Sequence, residues 1–419
     1  MYQAPRGTQD VLPEDEKYWR YVESTATRTA GLFGFGLIRT PTFEDTSLFV
    51  RGVGESTDIV TKEMYTFEDK GEDSLTLRPE GTAPVLRAYL EHGMASRPQP
   101  VKMYYLMSMY RYDRPQAGRF REFHQFGAEA IGDGAPTVDA EVILLVWRFF
   151  EALGLRDLSL QLNSIGCPEC RPAYLEALVR FFTAHKMGLC HDCQRRLELN
   201  PLRLLDCKNE QCQPAILTAP ASVDHLCEEC REHFDELRRL LDGFSLPVIL
   251  NPRLVRGLDY YTKTVFEVWP ATVGAQSALG GGGRYDGLME KLGGKPTPGI
   301  GFATGIERII MNLKEQGVPV PEVGRPFLYV AYLGDDAKLP ALQLADQARR
   351  MGMATVTTLG PRSLKAQLKQ ANNSGARFAL ILGEQEVLDG TVTVRDMVES
   401  RQWQESRSTV LEKLLQAKE

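Results

Sequence analysis

What this chain of 419 residues has little of narrows its class before any motif is read. It has no uninterrupted apolar run of membrane length; the run Val142–Phe150 is broken by Arg148 and carries the spacing of an amphipathic helix. The opening residues, MYQAPRGTQDVLPEDEK, lack the basic-then-apolar order of an export signal, which makes a cytoplasmic protein the expectation. Positive charge is not in excess: a formal net charge of -6 excludes a surface coated with cations for indiscriminate nucleic-acid binding, and leaves a local RNA-binding patch open. There is neither a Walker-type phosphate loop nor a kinase-type glycine loop, so a bound nucleotide has to be gripped by another architecture. Most of the chain lacks cysteine, and all eight fall between Cys167 and Cys230. In a reducing compartment such clustering points to a metal or to inert thiols ahead of disulfides. The remaining composition, 43% hydrophobic and 25% charged, is that of a soluble globular protein. The length suggests roughly two to three domains.

The stretch Lys102–Gly132, KMYYLMSMYRYDRPQAGRFREFHQFGAEAIG, reads as two long strands joined by a loop that Pro115 and Gly118 prevent from continuing the ladder. Side chains alternate along a strand, so Arg121, Phe123, Gln125, Gly127 and Glu129 share one face, and an even register brings Arg111 to the same side. A guanidinium, an amide and a carboxylate around a glycine make a binding face; a solvated sheet face is the plainer alternative. Ahead of this hairpin the sequence predicts a helix over Glu14–Leu32 and an edge strand LIRTPTFEDTSLF containing Pro41. A second hairpin then leads into a helix, and the junction LRPEGTAP carries Glu80 and Thr82, either as a helix cap or with Glu80 binding an ammonium group. After the central hairpin come a core helix at Pro136–Leu153 and an inserted, cysteine-rich region at 163–247. Strands return at Val248–Leu250 and in LVRGLDYYTKTVFEV, followed by Gly280–Gly283, expected to close a pocket, and by a strand-to-helix segment bearing Glu307 and Arg308. Residues 319–325 form a linker, and 326–419 alternate strands and helices as a small α/β domain with a largely parallel sheet.

Arg111, Arg256 and Arg308 supply fixed cations from separate parts of the chain, suited to bringing two anions together and to holding charge on a phosphorus in flight. The hairpin around Arg111, the strand with Pro41 and the segment with Arg308 resemble the three signatures of class II aminoacyl-tRNA synthetases. Where that class has Arg-x-Glu, this chain has Arg111-Tyr112-Asp113. LRPEGTA, RGLDYYTKTVFE and the glycine run followed by RYDG resemble the elements particular to histidyl-tRNA synthetases, and the likeness extends from Arg6-Gly7-Thr8 into the C-terminal domain. The resemblance implies an α+β fold: an antiparallel catalytic sheet flanked by helices (1–162 and 248–318), the insert, and an α/β anticodon-binding domain (326–419). It implies activation of histidine with ATP and Mg²⁺ and transfer to tRNA-His by a homodimer. It assigns Arg256 and Arg111 to catalysis and Arg111 and Arg308 to ATP. Glu80, Thr82, Gln125, Glu129, Arg256, Tyr260 and Tyr261 go to histidine, and Arg114 and Gln116 to the tRNA. An imidazole has one donor and one acceptor nitrogen, which a carboxylate and a phenol can satisfy. The nearest alternative is the related, non-catalytic regulatory subunit of ATP phosphoribosyltransferase, which tends to lose the signature arginine and the last domain; this chain keeps both. An RNA-binding adaptor without catalysis would leave Glu80, Gln125 and Glu129 without purpose.

The cysteines fall as Cys167-x2-Cys170, Cys190-x2-Cys193, Cys207-x4-Cys212 and Cys227-x2-Cys230. Short turns of this kind present two thiolates to one ion, so one or two structural Zn²⁺ are expected in the insert.

Overall fold

In the computed structural model, which describes residues 2–55, 57–114, 118–271, 278–322, 324–358, 360 and 362–416, the chain divides into units Met1–Val320 and Pro321–Glu419. The first unit opens with α1 (Glu16–Leu32), then β1 (Gly36–Leu37) and β2 (Phe43–Asp45). Pro41 lies between these two short strands, which belong to different sheets, rather than inside one edge strand. The expected strand also stops early: Asp45 accepts Ser47 N at 2.7 Å and caps α2 (Thr46–Val53), which turns the TSLF stretch into helix. β3 (Tyr65–Glu68) and β4 (Ser74–Leu77) form the second hairpin, with β2 paired on the other side of β4, and α3 (Thr82–Glu91) follows.

The central hairpin is β5 (Val101–Tyr110) and β6 (Glu122–Ile131), in register Met107↔Gln125 and Tyr105↔Gly127. Arg111 N donates to Arg121 O at 2.8 Å, so the even register holds and Arg111 shares the face of Gln125. Next come α4 (Pro136–Ala152) and β7 (Leu158–Ser164). The insert follows with α5 (Arg171–Ala184), α6 (His191–Leu199), α7 (Gln213–Leu217) and α8 (Glu228–Asp242). β8 (Val248–Leu250), β9 (Thr262–Pro270), β10 (Gly280–Arg284), α9 (Leu288–Lys291), β11 (Gly299–Gly305) and α10 (Ile306–Glu315) complete the unit. The main sheet runs β1-β5-β6-β11-β10-β9-β7-β8, antiparallel from β5 to β7 and parallel only at its two edges. The four glycines are therefore not a loop but most of a buried strand between β9 and β11.

One face of this sheet is sealed by helices: Phe126, Phe266 and Phe302 pack against Val142, Phe149 and Ile309. The other face carries Met103, Tyr105, Met107 and Met109 with Tyr260, Tyr261 and Tyr285, partly covered by Val85, Leu86 and Tyr89 of α3. Phe234, Leu237 and Leu241 of α8 join the first core, while the rest of the insert has a small core of its own around Tyr174, Phe182 and Leu204.

The second unit consists of β12 (Leu328–Tyr332), α11 (Lys338–Arg350), β13 (Thr355–Thr357), α12 (Leu364–Asn373), β14 (Phe378–Leu382), α13 (Glu384–Asp389), β15 (Thr391–Asp396), β16 (Gln402–Ser406) and α14 (Val410–Gln416). Its sheet, β13-β12-β14-β15-β16, is parallel in the first three strands and antiparallel in the last two. The antiparallel edge of the expected, largely parallel sheet has a simple cause. Only Gly383, α13 and Gly390, at φ 65°, connect β14 to β15, too short a path for the dozen or so residues of a parallel crossover.

Candidate active site

A cavity of about 440 Å³ opens on the second face of the main sheet. Glu80, Thr82, Gln125, Tyr260 and Tyr261 line it, as do Arg111, Arg256 and Arg308. Glu80 sits at the start of α3, where its two oxygens accept Thr82 N at 2.9 Å and Ala83 N at 2.8 Å. The capping reading of this residue is observed, and a carboxylate that caps a helix keeps lone pairs free on the side of the cavity. Tyr260 donates its hydroxyl to Glu80 at 3.3 Å. Burial raises the pKa of Glu80, against the pull of the Ala83 and Thr82 amides and of Arg111.

Glu129 is placed differently from a simple wall residue. It is buried and accepts hydroxyls from Thr82 at 2.8 Å, Tyr285 at 2.8 Å and Tyr105 at 3.4 Å. Burial pushes its pKa up to about 8, although these donors favour the charged form. Gly127, expected to leave room for a ligand, instead makes room for Tyr105: a Cβ there would stand 2.3 Å from Cζ of that ring. Opposite it in the register, Tyr105 fills the space and closes the floor between Glu80 and Glu129.

The three arginines enter from three elements. Arg111, just beyond β5, donates Nε to Pro79 O at 2.7 Å and stacks 5.4 Å from the Phe123 ring; burial lowers its pKa, with Glu63 and Glu80 opposing. Arg308 on α10 donates to Gly118 O at 3.2 Å and Ala278 O at 3.0 Å. Arg256 pairs with Glu267 of β9, whose other oxygen accepts Trp269 Nε1 at 2.7 Å. Burial works against the Arg256 charge, but Glu267 and Tyr261 outweigh it and hold the pKa above the ordinary value. Arg256 lies across Gly281, where a Cβ would meet its Nη1 at 2.9 Å, so the glycine strand serves close approach of a side chain. Gln125 Oε1 and Arg256 Nε are buried without a hydrogen-bond partner among the described residues, an acceptor and a donor left for a ligand. Glu307, next to Arg308, takes both the backbone and the ring nitrogen of His124, tying α10 to β6.

Arg114 is exposed beside Asp113 and stands outside the cavity; Gln116 lies outside the described residues. Asp113 pairs with Arg119 at 3.2 Å and lines the cavity. Sequence reasoning missed Tyr105, Tyr285, Glu267 and Trp269. The alternation of β5 and β9 could have flagged Tyr105 and Glu267, which face the same side as residues already singled out.

The eight cysteines gather into two sets of four, Cys167/Cys170/Cys227/Cys230 and Cys190/Cys193/Cys207/Cys212, with sulfurs within 4.8 Å of one another in each. Neighbouring sulfurs stand 3.7 Å (Cys167–Cys170), 3.8 Å (Cys167–Cys227) and 3.9 Å (Cys170–Cys230, Cys190–Cys207) apart. A disulfide needs about 2.05 Å. Four thiolates at about 2.3 Å from one Zn²⁺ have tetrahedral edges of about 3.8 Å. Backbone amides of Cys167, Cys190 and Asn209 point at these sulfurs, as they do around bound thiolates.

An antiparallel sheet whose open face sets an acid–amide–phenol pocket beside three half-buried arginines, joined to a separate α/β unit, is the architecture of a class II aminoacyl-tRNA synthetase. The comparisons agree and go further. The family model "Histidyl-tRNA synthetase" matches residues 7–309, and "Anticodon binding domain" matches 328–417. The histidine–tRNA ligase of Dehalococcoides mccartyi (strain 195) is 58% identical over 402 residues, 96% of each chain. That of Acetivibrio thermocellus is 47% identical over 414 residues, 99% of each. The crystal structure of apo S. aureus histidyl-tRNA synthetase superposes with a TM-score of 0.83 at 40% identity, covering 99% of this chain and 100% of that one. A Bacillus halodurans structure described as an ATP phosphoribosyltransferase regulatory subunit/histidyl-tRNA synthetase shares the fold at 23% identity and a TM-score of 0.65, over 91% of this chain and 97% of that one. The chain belongs to the histidyl-tRNA synthetase family.

Proposed function

We propose that the protein is a histidine–tRNA ligase whose chemistry is carried by the cavity on the main sheet. The observation that supports this most directly is the pair of buried, unpartnered atoms, Gln125 Oε1 and Arg256 Nε, in a cavity that three arginines and Glu80 share. Gln125 and Glu80 take the ammonium of histidine, and Thr82 sets the distance between Glu80 and Glu129. The imidazole lies against Tyr261 and Tyr260. It reaches Glu129 by replacing the Tyr105 hydroxyl, the longest of the three contacts of that carboxyl. A site built to pair a donor and an acceptor rejects side chains lacking them.

Arg111 and Arg256 bring the histidine carboxylate against the α-phosphate, and Arg308 holds the remaining phosphates of ATP. A carboxylate oxygen attacks the α-phosphorus, the bond to the bridging oxygen breaks, and pyrophosphate leaves; the arginines carry the charge that builds between. The terminal ribose hydroxyl of tRNA-His then attacks the carbonyl of histidyl-adenylate and AMP departs. Mg²⁺ would ride on the nucleotide phosphates: among the described residues the groups of three or more ligand atoms close enough for an ion are the two cysteine sets, and hard Mg²⁺ prefers oxygen. Those sets are read as two structural Zn²⁺ sites.

The domain roles follow: residues 1–162 and 248–318 for catalysis, 163–247 as the insert, and 326–419 for the tRNA anticodon, with Arg114 and Gln116 near its acceptor end. Leu37, Phe43 and Phe67 are exposed, the two rings in edge contact, and a second copy of the chain would cover them in a homodimer. No helix among the described residues is long and apolar enough to cross a membrane.

Histidine-dependent exchange of pyrophosphate into ATP tests the proposal. The wild type is expected to exchange with histidine alone, and Arg256→Ala to lose about 10²–10³ of that rate with its fold intact. Absence of exchange from folded wild-type protein would sink the enzyme reading and favour the regulatory subunit.

A further inference from the structure

We infer that the metal centre of Cys167, Cys170, Cys227 and Cys230 positions Tyr261, and thereby sets the affinity for the amino acid, instead of only holding the insert together. This rests on the reading of the cysteines as zinc ligands. Each of the two Cys-x2-Cys turns places a neighbouring residue on the segment Tyr261–Lys263. Arg171, directly after Cys170, donates Nη2 to Tyr261 O at 2.6 Å and to Gly166 O at 3.2 Å. Glu229, between Cys227 and Cys230, accepts Lys263 Nζ at 2.7 Å. The backbone of Lys263 is bracketed as well, its N–H donating to Gly166 O at 2.9 Å and its carbonyl accepting Ile165 N at 2.8 Å.

These grips hold Lys263 at φ 50°, a left-handed conformation that a lysine keeps only where its surroundings impose it. The turn lets Tyr261 face the cavity while Thr264, three residues on, reaches the buried Asp139 carboxylate at 2.6 Å. The Tyr261 ring is packed on one side, 4.7 Å from that of Tyr260 and against Gly283 of β10. A second cavity of about 310 Å³, bounded by Arg171, Leu175, Leu202 and Leu258, lies at its back. Hydrogen bonds from the metal turns therefore add to that packing and fix the backbone of Tyr261 and the side chain of Lys263 from the other side. An ion with four thiolates also bears net negative charge, which Arg171 and Lys263 sit close enough to balance.

Without the ion, the turns at Cys167–Cys170 and Cys227–Cys230 have nothing to draw them together, Arg171 and Glu229 separate, and Lys263 relaxes to an extended conformation that turns the tyrosine ring. Arg111, just beyond β5, and Arg308 on α10 bond Pro79 O, Gly118 O and Ala278 O, none of them in the turns, so the loss falls on histidine ahead of ATP.

The test uses the full chain, with zinc counted by elemental analysis and both substrates titrated in pyrophosphate exchange. Cys230→Ala is expected to lose about one zinc per chain and to raise the KM for histidine tenfold or more, with the KM for ATP within about twofold. Arg171→Met is expected to reproduce the histidine effect while keeping both zincs, and Arg171→Lys to restore most of it. If Cys230→Ala does not fold, the two Arg171 variants decide the matter alone. Loss of one zinc, or of the Arg171 bonds, with the histidine KM unmoved overturns the positioning role and leaves the zinc reading standing. A wild-type protein with less than about a tenth of a zinc per chain removes the zinc reading and this inference together.

Discussion

Glu129 is a carboxyl group placed where ionisation is costly. Burial lifts its pKa from 4.5 to about 8, even with Tyr285, Thr82 and Tyr105 as donors. An acid whose pKa is higher folded than unfolded holds an extra proton in the native state between the two values. Its contribution to stability is therefore complete below about pH 4.5 and declines as the pH rises to about 8. Glu129→Gln keeps the shape and cannot ionise. In thermal melts its midpoint is expected to vary less with pH than that of the wild type, the two curves drawing apart by a few degrees between about pH 5 and about pH 8. Parallel curves would show that Glu129 does not lose a proton in this range and would overturn the raised value. The sequence located this acid because strand alternation put it on one face with Gln125 and Arg111, a relation the register Met103↔Glu129 and Met107↔Gln125 bears out. It did not show that Tyr105 and Tyr285 take two of the three bonds of Glu129, since neither is adjacent in sequence and only packing brings their hydroxyls together. Glu267 was within reach of strand alternation, but its meaning comes from its pairing with Arg256, which lies in the loop before β9.

Elements of the catalytic unit are joined by charge as well as by packing. Asp139, in the first turn of α4, is fully buried and meets Thr264 of β9 at 2.6 Å, His233 of α8 at 2.9 Å and Arg284 of β10 at 2.7 Å. Arg284 is fully buried too, so its charge depends on Asp139 and on Asp286 at 3.0 Å. Asp139→Ala would leave a buried guanidinium with one charged partner, Asp286, beside the carbonyls of Asp133 and Ala135, and is expected to lower the unfolding free energy by about 3–5 kcal/mol, read as a fall in the denaturant midpoint. A loss under about 1 kcal/mol would mean that Asp286 alone neutralises Arg284. Periodicity found α4 and the central hairpin because their apolar spacing is regular over ten residues or more. It failed where local chemistry or neighbours decide: at α2, begun by the Asp45 cap, and at β10, where glycine has no strand preference and pairing with β9 and β11 imposes the conformation. α13 and β16 were passed over because a six-residue helix and a five-residue strand carry too little pattern.

At the scale of the molecule, each unit owns a core. Leu328, Val330, Leu344, Leu380 and Val394 pack together within residues 321–419, and the described residues that line the catalytic cavity end at Arg308. The linker GVPVPEVGR was legible from its prolines, glycines and lack of periodicity, and the division between Val320 and Pro321 falls inside it. A unit with its own core should fold alone, and one that holds a complete cavity should keep the chemistry of that cavity. Residues 1–320 by themselves are therefore expected to retain histidine-dependent pyrophosphate exchange within about tenfold of the whole chain. Charging of tRNA-His is a different matter, because an RNA held at two places binds more tightly than at one. Losing the second foothold costs about 10²–10⁴ in effective affinity. Charging at limiting tRNA is expected to fall by at least that lower figure. The two assays on one truncated protein separate the roles: exchange kept and charging lost assigns the second unit to tRNA. Loss of both from a folded fragment would show that the cavity needs residues beyond 320 to work.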